Sequence, residues 1–171
     1  MNRQGCLIQA QWHLNEWEEF ITMNEIIASL MAWAVSQSGY SAPPVLPVIE
    51  YLPTQAFVEQ VCPHSAQCTV RGYYADGSKT IVLDESLREL KQNRRARAML
   101  VHEMVHYLQD RSGRWGAKTC QTWIEREREA YRAQLRYLAT QGVHPTLLLM
   151  PPFNVAKCKE TMAERPAGEQ L

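Results

Sequence analysis

The chain has 171 residues, 46% of them hydrophobic and 21% charged, a globular composition that excludes a disordered, collagen-like or low-complexity chain. Its 18 basic and 18 acidic residues cancel, so whole-chain charge offers no footprint for nucleic acid. No apolar run approaches the ~18 residues that a membrane span requires, and one hydrophobic core suits this length.

Residues 1–22 read as an N-terminal extension: after Arg3 the stretch is broken by Gln, His, Asn and Glu, unlike the apolar segment of an export signal. On that ground the cytoplasm is the default compartment. Thr22 to Glu25 has the form of a capping box and opens a helix over 23–37. Ile26, Ile27, Leu30, Trp33 and Ala34 share one face of it, and Gly39 supplies the stop. Pro43, Pro44 and Pro47 forbid helix, so Val45 to Leu52 reads as an edge-type strand, followed by a short helix from Thr54 to Val61.

Cys62 and Cys68 enclose Pro63 and His64 at a spacing unlike the two-residue knuckle of a structural zinc site. Two readings remain open, a local disulfide in an exported protein or a pair of reduced, partly buried thiols. Thr69–Ala75 and Lys79–Leu83 flank Asp76-Gly77 and predict a β-hairpin. Asp84 or Ser86 can cap the next helix, which runs with one break to Arg111. Residues 112–116 form a loop, and a last long helix spans 120–141, stopped by Gly142 with Pro145 beyond. The sum is one α+β domain over 23–150, with a proline-punctuated tail at 151–171. Its small, mostly antiparallel sheet packs on the central helix and the long C-terminal helix.

His102-Glu-Met-Val-His106 lies inside a stretch, Ala96 to Gln109, that contains no Gly or Pro. A spacing of i, i+4 stacks both imidazoles on one helix face, where they can grip a single ion. Glu103 is displaced around the helix and can reach water beside that ion without coordinating it. A pair of surface histidines would give the same pattern. However, Leu100, Val101, Met104, Val105 and Leu108 make this helix apolar on too many sides for a surface position. His102 and His106 are therefore expected as metal ligands in an internal cleft.

A zinc site open to substrate uses three protein ligands. Gln109 and Ser112 stand where an extended H-E-x-x-H-x-x-G-x-x-H pattern needs Gly and His, so the third ligand comes from the acidic residues of the last helix. At 100° per residue, Trp123, Ile124, Ala130, Tyr131, Gln134, Leu135 and Leu138 form a broad, mostly apolar face. Glu127 projects near its middle, Glu129 almost opposite and Glu125 to the side. A carboxylate in an apolar stripe is costly unless paired or metal-bound. Glu127 is the expected third ligand, with a buried ion pair as its alternative role and Glu125 and Glu129 as its rivals.

HEMVH followed some twenty residues later by EREREAYRAQ resembles the gluzincin branch of the zinc metallopeptidases, and in size the chain is most similar to the minigluzincins. The stretch from VRGYYADGSKTIVLDESL through EREAYRAQLRYL also resembles an uncharacterised bacterial family of HExxH proteins. The resemblance covers residues 24–142. It implies a zinc (Zn2+) cofactor held by His102, His106 and Glu127, with Glu103 as general base in peptide-bond hydrolysis. It also implies a small sheet whose edge strand pairs with extended substrate, with Lys79 to Leu83 as the candidate edge. In many gluzincins the ligand Glu is followed four residues later by an Asp that supports a zinc-binding His; Tyr131 stands there in this chain.

The expected partner is thus a peptide or protein substrate. The alternatives are a regulatory HExxH protein acting on one specific partner and a metal-stabilised binding protein without turnover. Tyr131, Tyr107, Tyr73 and Tyr74 are the candidates for stabilising an oxyanion. Gln109 and Asp110 could orient His106, but both read first as ordinary helix-end polar residues. Arg126, Arg128 and Arg132 join Arg88 to Arg97 in what reads as a solvated basic surface. Trp115 lines a cleft or caps the core, and Leu147–Met150 reads as core.

Overall fold

A computed structural model describes residues 23–63, 68–117 and 119–143. They form an α+β fold of four helices and one three-stranded sheet. The first helix, α1, covers 23–38 and buries Leu30, Met31 and Ala34. The prolines that follow delay the first strand, β1, to Val48–Leu52, and α2 spans Thr54–Val61. The first hairpin strand, β2 at Gly72–Tyr74, is shorter than the sequence suggests, and the second, β3 at Thr80–Asp84, is displaced by one residue. Gly77 turns the chain between them with a φ of +82°, a left-handed conformation open to glycine.

The strand order is β1-β3-β2, and the sheet is mixed. β1 runs parallel to β3, with Val48 opposite Thr80 and Leu52 opposite Asp84. β2 runs antiparallel to β3, with Gly72 opposite Leu83 and Tyr74 opposite Ile81. A parallel pair requires a crossover. Here α2 and the loop after it carry the chain past the β3 position to the far edge, and the hairpin then returns β3 into the middle. The 79–83 strand is therefore central rather than the expected edge, because β1 occupies its second side. The edge beside the central helix is β2.

Asp84 caps a single 3-10 turn at Glu85–Leu87, where its carboxylate accepts from the Ser86 backbone N–H. The central helix starts afresh at α3, Arg94–Ser112, capped by the Asn93 side chain on the backbone N–H groups of Arg95 and Ala96. Gly113, in the left-handed region at φ +63°, ends it. The last helix, α4, spans Cys120–Thr140 and opens with a Thr119–Thr122 capping box. Cys62 and Cys68 form a disulfide that closes the loop between α2 and β2, and Cys120 is also disulfide-bonded, to a partner outside the described residues. No helix among the described residues is long and apolar enough to cross a membrane. The extension at 1–22, the Leu147–Met150 run and the tail at 151–171 lie outside the described residues.

Every residue of α3 from Leu100 to Gln109 is buried. A helix buried all round needs cover on all sides, and here the sheet lies on one side and α4 on the other. Ile81, Leu83, Leu100, Val101, Met104 and Val105 are 0% exposed and make the contact layer. Truncating one of these side chains leaves a cavity that the sandwich cannot close. Leu100→Ala is expected to cost about 2–5 kcal/mol, against about 1 kcal/mol for removing the Asn93 cap with Asn93→Ala. Urea unfolding followed by circular dichroism measures both, and equal, small effects would contradict this packing.

Candidate metal centre

α3 brings the Nε2 atoms of His102 and His106 to 3.1 Å of each other. From α4, the Glu127 carboxylate lies 3.5 Å from His102 Nε2 and 3.4 Å from His106 Nε2. One ligand atom from each of the three residues falls within 4.8 Å of the others, an arrangement that can hold a metal ion. Burial opposes the charge of Glu127, yet the two imidazoles hold its pKa well below the carboxylate range. Two imidazole nitrogens and a carboxylate facing one point repel unless a proton or a cation lies among them. Two nitrogens and one oxygen suit zinc or another divalent first-row metal.

The helix that supplies Glu127 is rotated from the expected face. Its buried residues are Trp123, Ile124, Arg126, Ala130, Ala133 and Tyr137, so Ala133 and Tyr137 replace Leu135 and Leu138 at the centre of the stripe. Arg126 is buried, not part of a solvated basic surface, because Asp76 from the β2–β3 turn holds its guanidinium bidentately at 2.7 and 2.5 Å. Glu125 is exposed and bonds Gln121. Glu129 is not directed at the histidines; it accepts from Tyr40 Oη at 2.7 Å and from Gln109 Nε2 at 2.8 Å.

Glu103 is 4% exposed and lies under β2. Asp84 N–H donates to the Arg71 carbonyl at 2.9 Å, so the backbone groups of Gly72 and Tyr74, alternating along the strand, point away from β3 toward the open edge. The Tyr74 N–H meets the Glu103 carboxylate there. A Cβ at Gly72 would stand 3.0 Å from Glu103 Oε1 and 3.0 Å from Met99 Cγ, so a larger residue would push Glu103 and Met99 aside by a few tenths of an ångström. Gly72 was not singled out in the sequence, where it reads as one more residue of a strand; the signal is a glycine in a β-run that marks close approach of another element.

The tyrosines separate by position. Tyr74 Oη donates to Asp110 at 2.7 Å, and Tyr107 Oη to the Val45 carbonyl at 2.8 Å. Tyr73 lies on the opposite face of β2 from Gly72 and Tyr74, by the two-residue period of a strand. Tyr131 packs edge-on against the His102 ring with centroids 4.4 Å apart, so the position expected for a supporting Asp holds an aromatic contact. Burial, then the charges of Glu127 and Glu103, push its hydroxyl up to about 12. Of the two residues after His106, Gln109 contacts the imidazole, Oε1 to Nδ1 at 2.8 Å, while Asp110 instead holds Tyr74 and the Gly77 N–H. Trp115 donates to Tyr40 Oη at 2.9 Å and lines a cavity of about 210 Å³ with Asp76, Gln109, Asp110, Trp123 and Arg126.

Fold and site together define an α+β domain whose central helix and C-terminal helix frame a His2Glu group able to hold a metal. The chain belongs to the family described as "Domain of unknown function (DUF6647)", which matches residues 20–162. Searches of curated proteins and of solved structures return no match.

Burial pushes the Glu103 carboxyl up from its ordinary 4.5 to about 7, against the charge of His102 and the Tyr74 N–H. A raised pKa in the folded chain means that folding takes up a proton between those two values, so this group costs stability as pH rises through that window. In the metal-free protein, Glu103→Gln should therefore leave stability almost unchanged near pH 4 and raise it by about 2–3 kcal/mol at pH 8. Urea unfolding at the two pH values measures this, and an equal effect at both would refute the burial cost.

Proposed function

We propose that the protein is a zinc-dependent metallopeptidase of gluzincin type, with His102, His106 and Glu127 as metal ligands and Glu103 as general base. The observation that carries the reading is the position of Glu103. It follows His102 directly and lies between the two histidines in sequence, is absent from the ligand group, and is held against the edge strand β2. A helix carboxylate without a chemical task has no reason to be buried under a glycine beside a metal-binding cluster.

Zinc, when bound, supplies Lewis acidity that polarises a carbonyl and acidifies water. The chain's own residues do the rest. The outward N–H and C=O groups of Gly72 pair with an extended peptide, main chain to main chain, with little demand on its sequence. The Glu103 carboxylate takes a proton from the attacking water and gives it to the leaving amine. Tyr131, protonated at neutral pH and packed edge-on against His102, is the residue we assign to the oxyanion.

Hydrolysis of an unfolded protein substrate by the zinc-loaded chain tests this. Glu103→Gln should lower kcat by at least about 100-fold with metal retained, and Tyr131→Phe by about 100-fold with KM little changed. Native protein that binds zinc but cleaves nothing would leave a metal-stabilised binding domain, and a Glu103→Gln variant as active as native would refute Glu103 as the general base.

The disulfides favour an oxidising compartment outside the cytoplasm. Thiol labelling of protein isolated without reductant should leave Cys62, Cys68 and Cys120 unmodified; labelling of all three would place the chain among reduced proteins.

A further inference from the structure

We infer that Gln109 and Glu129 position the metal site: Gln109 fixes His106 in the tautomer protonated at Nδ1, and Glu129 acts on that histidine through the Gln109 amide. The inference rests on the reading of His106 as a metal ligand.

Gln109 is 0% exposed and lies one turn beyond His106 on α3. Its Nε2 donates to the Arg126 carbonyl at 3.0 Å and to Glu129 Oε2 at 2.8 Å. Its Oε1 accepts from Arg126 Nε at 3.1 Å. Those partners determine which way the amide faces. A reversed amide would set its oxygen against a carbonyl and a carboxylate, and its NH2 group against a guanidinium N–H, breaking all three of these bonds. The atom facing His106 Nδ1 at 2.8 Å is therefore an oxygen, which only accepts. Nδ1 must carry a proton, and Nε2 is the ring nitrogen that faces His102 and Glu127.

The amide is clamped from both ends. Arg126 is anchored by the bidentate Asp76 pair. Glu129 is held by Tyr40, which is held in turn by Trp115. A carboxylate accepting from an amide N–H draws charge toward the amide oxygen and makes it a stronger acceptor. Metal-bound histidines commonly donate to a carboxylate directly; here the carboxylate stands one amide further out. His102 supplies the contrast on the same helix, because its Nδ1 is buried with no hydrogen-bond partner among the described residues.

Ring 15N NMR of the metal-free native chain should show a proton held on His106 Nδ1. Gln109→Leu, similar in volume, should lose that fixed proton and weaken zinc binding by about 10–100-fold in competition with a chelator. Glu129→Gln leaves the core amide in place and so covers the case in which Gln109→Leu fails to fold; it should keep the Nδ1 proton and weaken zinc binding by about tenfold. A native His106 protonated at Nε2 alone, or zinc affinity within twofold of native in the folded variants, would overturn the inference. The tautomer is read without metal, so a chain that takes up no zinc overturns the ligand reading while the Nδ1–H result stands on its own.

Discussion

The structure depends on one constraint: a helix buried on every side that nonetheless carries two imidazoles, a carboxylate and an amide. From Leu100 to Gln109 no residue of α3 reaches solvent freely. Each polar group in that stretch must find a partner inside the protein or destabilise it by about 1–3 kcal/mol. The rest of the architecture supplies those partners. Glu127 comes from α4 to the histidines, the Tyr74 N–H from β2 to Glu103, and Arg126, Glu129 and His106 together satisfy Gln109. His102 Nδ1 is the exception.

The sheet topology follows the same demand. The crossover through α2 leaves β2 as the edge over Glu103, and Gly72 lets that edge approach to contact distance. On the other side, Asp76 at the hairpin turn reaches Arg126 on α4, tying the tip of the hairpin to the helix that carries Glu127. The hairpin thus meets the site twice, through backbone at Glu103 and through an ion pair behind His106. The disulfide between Cys62 and Cys68 closes the loop that leads into β2, so a covalent bond limits the freedom of the strand's entry.

Much of this was legible in the sequence because it rests on local pattern. The i, i+4 histidines, the Asp76-Gly77 turn and the apolar surroundings of HEMVH all act within a few residues, and the α+β class follows from such patterns, whereas the cap of the central helix is Asn93 rather than the expected Asp84 or Ser86. Glu127 could be ranked above Glu125 and Glu129 by helical angle alone, and it is the acidic residue that reaches the histidines. What could not be read were matters decided between elements. The angle turned Glu129 outward and the charge pattern put Arg126 on a solvated surface, because neither carries knowledge of Tyr40 and Gln109, which hold the half-buried Glu129, or of Asp76, which makes burial of Arg126 tolerable. The central place of β3 was hidden for a similar reason: a hairpin pattern fixes which strands pair with each other and says nothing of what covers the second side. Gly72 and Gln109 looked ordinary because their roles exist only in contact with Glu103 and His106.

The account stands on the proposition that His102, His106 and Glu127 enclose a metal ion. The most direct test is a crystal structure of the native chain, purified without a chelating column and soaked in zinc, with anomalous data on both sides of the zinc edge. The account predicts one strong anomalous peak bounded by the two Nε2 atoms and the Glu127 carboxylate, with Glu103 outside the coordination. An empty cluster, or zinc bound only elsewhere, would contradict it.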